Sequence, residues 1–372
     1  MHPPVYHYDI HGIVTVVAEA RLPELEAFRV DDAILQPTIR VRICQVPQEP
    51  RSAPGESEIR HVRYAEGHGP IGFRIGIDYR DTVEVFATPF LARSPHVLYT
   101  NVVEPILRWT FVEKGFALVH GACLAFGNDA FIVTARTDTG KTTTVLRVLD
   151  NRPDAAFLSD DLTLLAPDGR VLPYPKPLTI SRHTLVAVKT PLLSWAERLA
   201  LVVQSRLHSK TGRRFGLLLS AARLPMATTN AIVQAVIPPP KYHVQRLVPG
   251  VRMASEARLA GLIVIERGAE GTISLSHGEA LEILMRNCED SYGFPPYPEI
   301  KEVLYAARGE DLRPRERDIV DSALAGCPAA LLRSETRSWW QQLPVIADSI
   351  AEGFAGLRPA QATPGTVATP AD

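Results

Sequence analysis

The residues that most constrain this chain run from Ala130 to Thr144, Ala-Phe-Ile-Val-Thr-Ala-Arg-Thr-Asp-Thr-Gly-Lys-Thr-Thr-Thr. Phe131 to Val133 form a short apolar, β-rich run, the mark of a buried strand. A small polar loop, Thr134 to Gly140, follows. Val145, Leu146, Val148 and Leu149 then keep helical spacing. Strand, loop, Gly-Lys-Thr and helix in that order are the context a phosphate-binding loop requires. Backbone N–H groups at a helix start lack intrahelical acceptors and can point at an anion. Gly140 has no Cβ, so the backbone can approach a phosphate closely. Lys141 brings a positive charge to the β- and γ-phosphates, and Thr142 offers a hydroxyl to Mg²⁺. The candidate nucleotide contacts are therefore Ala135, Arg136, Thr137, Asp138, Thr139, Gly140, Lys141, Thr142 and Thr143. The plainer reading is an ordinary helix start that happens to carry Gly-Lys-Thr. Ala135 stands where the common G-x-x-x-x-G-K-[ST] pattern has its first glycine. Alanine tolerates positive φ poorly, so the loop is expected to leave its strand in a right-handed or extended conformation.

Bulk properties narrow the class. The 372 residues are 46% hydrophobic and 22% charged, with a formal net charge of −1. This is globular composition, with no overall field to attract nucleic acid or membrane. Cys44, Cys123, Cys288 and Cys327 are scattered, which argues against a zinc site or a disulfide framework and suits a cytoplasmic location. The N-terminus has no signal-peptide pattern, and no apolar run is long enough for a membrane span.

Residues 1–95 read as an N-terminal β-rich subdomain. Ile13–Val17, Thr38–Ile43, Gly72–Ile77 and Thr82–Phe86 are its β-branched runs, and Pro47 to Ser57 is a flexible loop. Its expected role is scaffold or partner surface. Residues 96–350 read as the nucleotide-binding domain, and 356–372 as a disordered tail. A helix is expected over His96–Glu113, then a strand interrupted at His120-Gly121. A turn at Gly127-Asn128-Asp129 makes a hairpin that feeds the loop. Ala155–Leu158 reads as an apolar strand, and Leu162–Leu165 with Arg170–Tyr174 as a further hairpin. Residues 191–224 read as an amphipathic helix with a basic wet face. Ala231–Ile237 and His243–Val248 read as strands, Leu259–Gly268 as a central strand, and 278–288 and 316–325 as helices. Trp339 and Trp340 open a last helix.

The first of the apolar strands after the loop helix ends in Ser159-Asp160-Asp161. Two carboxylates there, just past a phosphate loop, are where a divalent ion and the attacking group are handled. A solvated turn is the alternative, since Asp is common in turns. In Pro175 to His183, Lys176, Arg182 and His183 can contact phosphate or the acceptor, or serve only as surface.

His120-Gly121 on a strand, the hairpin, the Gly140-Lys141-Thr142 loop, the helix and Ser159-Asp160-Asp161 follow in an order that resembles HPr kinase/phosphorylase. The chain is most similar to the HPr-kinase-related serine kinases, whose core is shared with phosphoenolpyruvate carboxykinase. The match runs over about residues 117–165 and weakens towards 268. The resemblance implies an α/β fold, a mixed α+β sheet with a P-loop kinase core of that type. It implies that Ala135 to Gly140 wrap the phosphates and that Lys141 neutralises the transferred group. Thr142 and Asp160 would hold Mg²⁺, Asp161 would take the acceptor's proton, and His120 would position Asp161. Pro249-Gly250-Val251-Arg252 is similar to a family segment that supplies an active-site arginine, so Arg252 is carried over. The family's loop has Asp-Ser-Gly where this chain has Arg136-Thr137-Asp138, and its metal-associated Glu has no counterpart here.

The expected function is thus ATP-binding, Mg²⁺-dependent transfer of the γ-phosphoryl to a hydroxyl. The acceptor would be a serine of a protein or peptide, or a small-molecule alcohol. The expected partners are a nucleotide and that acceptor, with no nucleic acid; a homo-oligomer is compatible. The first alternative is a nucleotide-gated binding module without phosphotransfer. Others are a non-binding descendant of the fold, and carboxykinase chemistry.

Overall fold

β-Branched residues dominate the N-terminal strands, and their alternation decides which face is buried. The computed structural model describes residues 4–47, 60–68, 71–180, 184, 225–236, 238, 241–306 and 309–351. Among these, β1 (Tyr6–Ile10), β2 (Val14–Ala18), β3 (Arg29–Val30), β4 (Ile39–Ile43), β5 (Arg60–His68), β6 (Ile71–Tyr79) and β7 (Val83–Ala87) form one sheet. Its order is β3-β1-β2-β4-β7-β6-β5. Ile39 and Val41 of β4 are buried. Arg40 and Arg42 reach the other face and meet Glu84 of β7 at 3.4 and 2.7 Å. The helical stretch expected from His96 to Glu113 is present as Pro95–Leu98, a π-helical Tyr99–Val103, and Glu104–Glu113.

The second sheet is mixed, with ten strands in the described residues. They are β8 (Ala117–His120), β9 (Ala122–Phe126), β10 (Asp129–Thr134), β11 (Ala155–Ser159), β12 (Leu162–Leu165), β13 (Arg170–Leu172), β16 (Arg252–Met253), β17 (Ala257–Glu266), β18 (Gly271–Leu275) and β19 (Ala329–Arg333). β14 (Leu178–Thr179) and β15 (Lys241–Tyr242) pair separately. β17 is central, as its apolar run predicts. It lies parallel to β10 on one side; on the other it meets β13, then β19.

β10 shows why a strand buried on both faces reads as a continuous apolar run. Ala130 and Ile132 face the larger core, and Phe131 and Val133 face a second core with Val145, Leu146, Val148 and Leu149 of the helix Lys141–Asn151. Each such side chain stabilises by roughly 1.5–3 kcal/mol when fully buried. Trp339, Leu343 and Ile346 of the helix Trp339–Ala351 close that second core.

β8–β9 and β11–β12 behave as two long strands with one break each. Cys123 pairs with Ser159, and His120 with Leu162; between them the Gly121 N–H donates to the Asp161 carbonyl at 3.0 Å. The breaks at His120-Gly121 and Asp160-Asp161 therefore face each other. A Cβ on Gly121 would lie 2.7 Å from Ile132 Cγ2, so glycine at that break permits the close crossing of β10.

Two expected strands are corrected. Ala231–Val236 belongs to the helix Met226–Val236. Its apolar residues are not a buried row: Ala227, Thr228 and Ala231 face inward, whereas Val236 is 74% exposed. Thr228 anchors it, its N–H and hydroxyl both donating to Glu66. His243–Val248 forms the short helix Val244–Leu247, with strand pairing only at Lys241–Tyr242. Val244 and Leu247, three apart, turn to one core. The helix Tyr297–Tyr305 and strands β18 and β19 were not foreseen. Most of the Pro47–Ser57 loop, Arg182 and His183, Ile237, the 191–224 segment and the 356–372 tail lie outside the described residues. Among the described residues, no helix is long and apolar enough to cross a membrane.

Candidate functional site

β10 ends at Thr134, whose hydroxyl donates to the His120 carbonyl at 2.8 Å and accepts from Asn287 Nδ2 at 3.0 Å. Ala135 follows, buried and with no positive φ. As expected, the loop leaves the strand without left-handed backbone at the missing glycine. That backbone appears later, at Asp138 (φ 64°) and Gly140 (φ 133°). The Asp138 carbonyl is held by Arg267 Nη2 at 2.9 Å, and the Thr139 hydroxyl donates to the Arg136 carbonyl at 2.7 Å. Gly140 caps the helix Lys141–Asn151 with no side-chain cap. The N–H groups of Lys141, Thr142 and Thr143 thus have no intrahelical acceptor. Arg136, Thr137 and Asp138 are exposed.

The structure brings Lys141, Thr142, His120, Asp160 and Asp161 together. The Thr142 hydroxyl donates to Asp160 Oδ2 at 2.9 Å. Lys141 Nζ lies at hydrogen-bond distance from His120 Nε2. His120 Nδ1 is 3.5 Å from Asp161 Oδ1, and the His120 backbone N–H donates to Cys288 Sγ at 3.1 Å. Asp161 Oδ2 accepts from Lys176 Nζ at 2.9 Å, and Lys176 also donates to Glu104 Oε2 at 2.8 Å. The register break across the two long strands puts His120 opposite the acidic pair.

Burial, then the Asp161 charge, push the Asp160 carboxyl up to about 6. Burial works upward on Asp161 too, but Lys176, His120 and Lys141 outweigh it and hold that carboxyl below the usual range. The side chain of Asp161 is 44% exposed, so solvent screens part of this effect. Burial, aided by Lys141, lowers His120 to about 4, which keeps the imidazole neutral near pH 7. Burial also lowers Lys141.

Two buried atoms in this cluster have no partner, Asp160 Oδ1 and His120 Nδ1. A buried carboxylate oxygen without a donor is costly unless a donor or cation completes it. With the Thr142 hydroxyl beside it, Asp160 presents hard oxygens of the kind that suit Mg²⁺. The described residues hold no group of three or more His, Cys, Asp or Glu suited to a metal. A hydroxyl and one carboxylate fit an ion that shares its remaining positions with water and phosphate.

Arg252 is not brought into the cluster. It is exposed on β16, opposite Ala156 in β11. Four residues separate Ala156 from Asp160, about 13 Å along a strand. Lys176 is not a plain surface residue: it is 12% exposed and bonded to Asp161 and Glu104. Glu104, Cys288, Asn287, Arg267 and Trp339 were missed. Glu104 left one signal, a carboxylate just ahead of the apolar Pro105-Ile106-Leu107; the others left none. No protein-family model matches the chain, and no curated protein matches it.

Proposed function

We propose that this chain is an ATP-dependent, Mg²⁺-requiring kinase of the HPr kinase/phosphoenolpyruvate carboxykinase type, acting on a hydroxyl. One observation carries the reading: the buried, half-satisfied Asp160 hydrogen-bonds Thr142 at the start of the uncapped helix, and Asp161 lies next to it, in reach of His120. Free amides, an ammonium, a hydroxyl–carboxylate pair and a second, solvent-reachable carboxylate are the parts phosphoryl transfer needs.

The amides of Lys141 to Thr143 and the Lys141 ammonium bind the β- and γ-phosphates of ATP. On binding, Lys141 exchanges His120 for phosphate oxygens. Thr142 and Asp160 would hold Mg²⁺, which would supply positive charge against the phosphates. The acceptor hydroxyl sits on Asp161. Its oxygen forms the new bond to the γ-phosphorus as the bond to the bridging oxygen of ADP breaks, and its proton passes to Asp161. A carboxylate held low is a weak base, and it suffices because a loose transition state releases that proton late. Neutral His120 fixes the rotamer of Asp161 without adding a positive charge.

The test is transfer from labelled ATP to serine peptides, lysate protein and small alcohols, with hydrolysis to water recorded alongside. Lys141→Ala is expected to abolish turnover, and Asp161→Asn to lower kcat by about 10²–10⁴-fold. Undiminished transfer in Asp161→Asn refutes the proton acceptor, and the absence of any MgATP binding refutes the whole reading.

A further inference from the structure

Lys176 is the residue of the cluster with no role yet. It stands between β13 and β14, and its side chain is only 12% exposed. Its ammonium bridges two carboxylates, Glu104 Oε2 at 2.8 Å and Asp161 Oδ2 at 2.9 Å. The ring of Tyr99 lies 5.7 Å away, and the Tyr99 hydroxyl is tied to Tyr174 at 2.8 Å. Glu104 is itself buried at the start of the helix Glu104–Glu113. A buried pair of this kind adds little net stability, because desolvation offsets the attraction. What it does supply is a fixed point. The two partners of Lys176 differ in kind: Glu104 is enclosed and immobile, whereas Asp161 is partly open to solvent.

We propose that Lys176 is a positioning residue for phosphoryl transfer. Anchored on Glu104 and Tyr99, it clamps one oxygen of Asp161 so that the other faces the acceptor hydroxyl. This inference rests on the kinase reading, with Asp161 as proton acceptor. Lys176 holds Oδ2, while Oδ1 lies 3.5 Å from His120 Nδ1 with no hydrogen bond to it and is left for the hydroxyl. A carboxylate free to rotate would present the wrong lone pair to the hydroxyl, and small misplacements at this step slow the reaction strongly. Lys176 touches neither the nucleotide amides nor Thr142, so the clamp acts on turnover and leaves nucleotide binding alone.

The experiment uses the full chain, with MgADP affinity by calorimetry and ATP turnover, including hydrolysis to water, as separate readouts. Lys176→Met is expected to lower kcat at least tenfold, with MgADP affinity and the KM for ATP within twofold of wild type. Lys176→Arg, which keeps the charge and can bridge both carboxylates, is expected to return kcat to within about threefold. Lys176→Met leaves Glu104 buried and unpaired, so a second variant guards against misfolding: Lys176→Met with Glu104→Gln removes both charges. The double variant is expected to melt near wild type yet stay slow. If it regains wild-type kcat, or if Lys176→Met turns over within twofold of wild type, the clamp is wrong although the kinase reading stands. If wild type binds MgADP but hydrolyses and transfers nothing, the kinase reading fails and the clamp with it.

Discussion

Ala135 and Gly140 divide the work that two glycines do in the common pattern. Ala135 leaves β10 without positive φ, whereas Gly140 sits at φ 133° with Trp339 Cζ3 3.4 Å from where a Cβ would lie. The first glycine is therefore dispensable here and the second is not. Gly140→Ala is expected to lose about 1–3 kcal/mol through backbone strain and to weaken MgADP binding in calorimetry. Ala135→Gly is expected to lose only about 0.5–1 kcal/mol, by loosening the unfolded chain, and to gain no affinity. A tighter Ala135→Gly loop would contradict this division. A second residue-scale prediction concerns acid. Asp160 has a raised pKa, about 6, so its contribution is present at low pH and is lost as pH rises from 3.8 through 6. His120 has a lowered one, about 4, so its contribution is present above 6.5 and is lost as pH falls through 4. Each shift of two units or more is worth on the order of 3 kcal/mol, and the two oppose each other in the same window. Without metal, urea unfolding between pH 4 and 6 should thus show little slope from this pair in wild type. His120→Gln should become more stable as pH falls, and Asp160→Asn less. Parallel slopes in the two variants would show that the two groups do not offset each other.

At the scale of elements, what was legible followed from repeating patterns. β4 alternates arginine with β-branched residues, and β10 and β17 contain the apolar runs Ala130–Val133 and Leu259–Ile265; their positions were readable for that reason. Ala231–Val236 has β-branched residues too, but the helix is held by Thr228 on Glu66, 162 residues away, and no local pattern encodes that anchor. The same holds for the site. Lys141, Thr142, Asp160 and Asp161 lie beside the loop in sequence and could be named. Glu104 and Trp339 come from distant helices, and only the fold delivers them. Arg252 was carried over from a short segment, and the register of β16 on β11 sets it apart from the cluster. A second buried ion network is equally non-local. Glu24 is almost wholly enclosed, near Phe28 and β1, and meets His96 at 2.6 Å and the ammonium of Lys241. It joins the 3-10 turn Pro23–Phe28, the helix Pro95–Leu98 and β15. Lys241→Met strands the Glu24 charge and is expected to lose about 3–5 kcal/mol in denaturant titration. Adding Glu24→Gln should recover most of the loss. Failure of the pair to recover would mean that Lys241 acts through its packing and not through its charge.

Residues 1–95 read in sequence as a β-rich subdomain, and their buried side chains join those of the following residues. A single cluster of buried side chains includes Tyr8, Leu25 and Val85 of the N-terminal part, Leu107 and Phe111 of the helix Glu104–Glu113, and Leu118, Ile132 and Leu164 of the second sheet. Cutting between the sheets would expose a large apolar face on each piece, and two-state behaviour is expected only where no such face is left. Both sheets should therefore unfold in one transition. All four tryptophans follow residue 95, Trp109 of the helix Glu104–Glu113 beside Tyr305 among them, so fluorescence reports the second part of the chain; far-UV dichroism reports both sheets, and the midpoints should coincide. A ligand that binds only the native state stabilises every part that unfolds with it, by about 2.7 kcal/mol at one hundred times its Kd. MgADP at that concentration should thus raise both midpoints equally, although the loop proposed to bind it follows β10 of the second sheet. If the N-terminal strands melt first, or if MgADP moves only the later of two transitions, the sheets are independent and the shared core does not couple them.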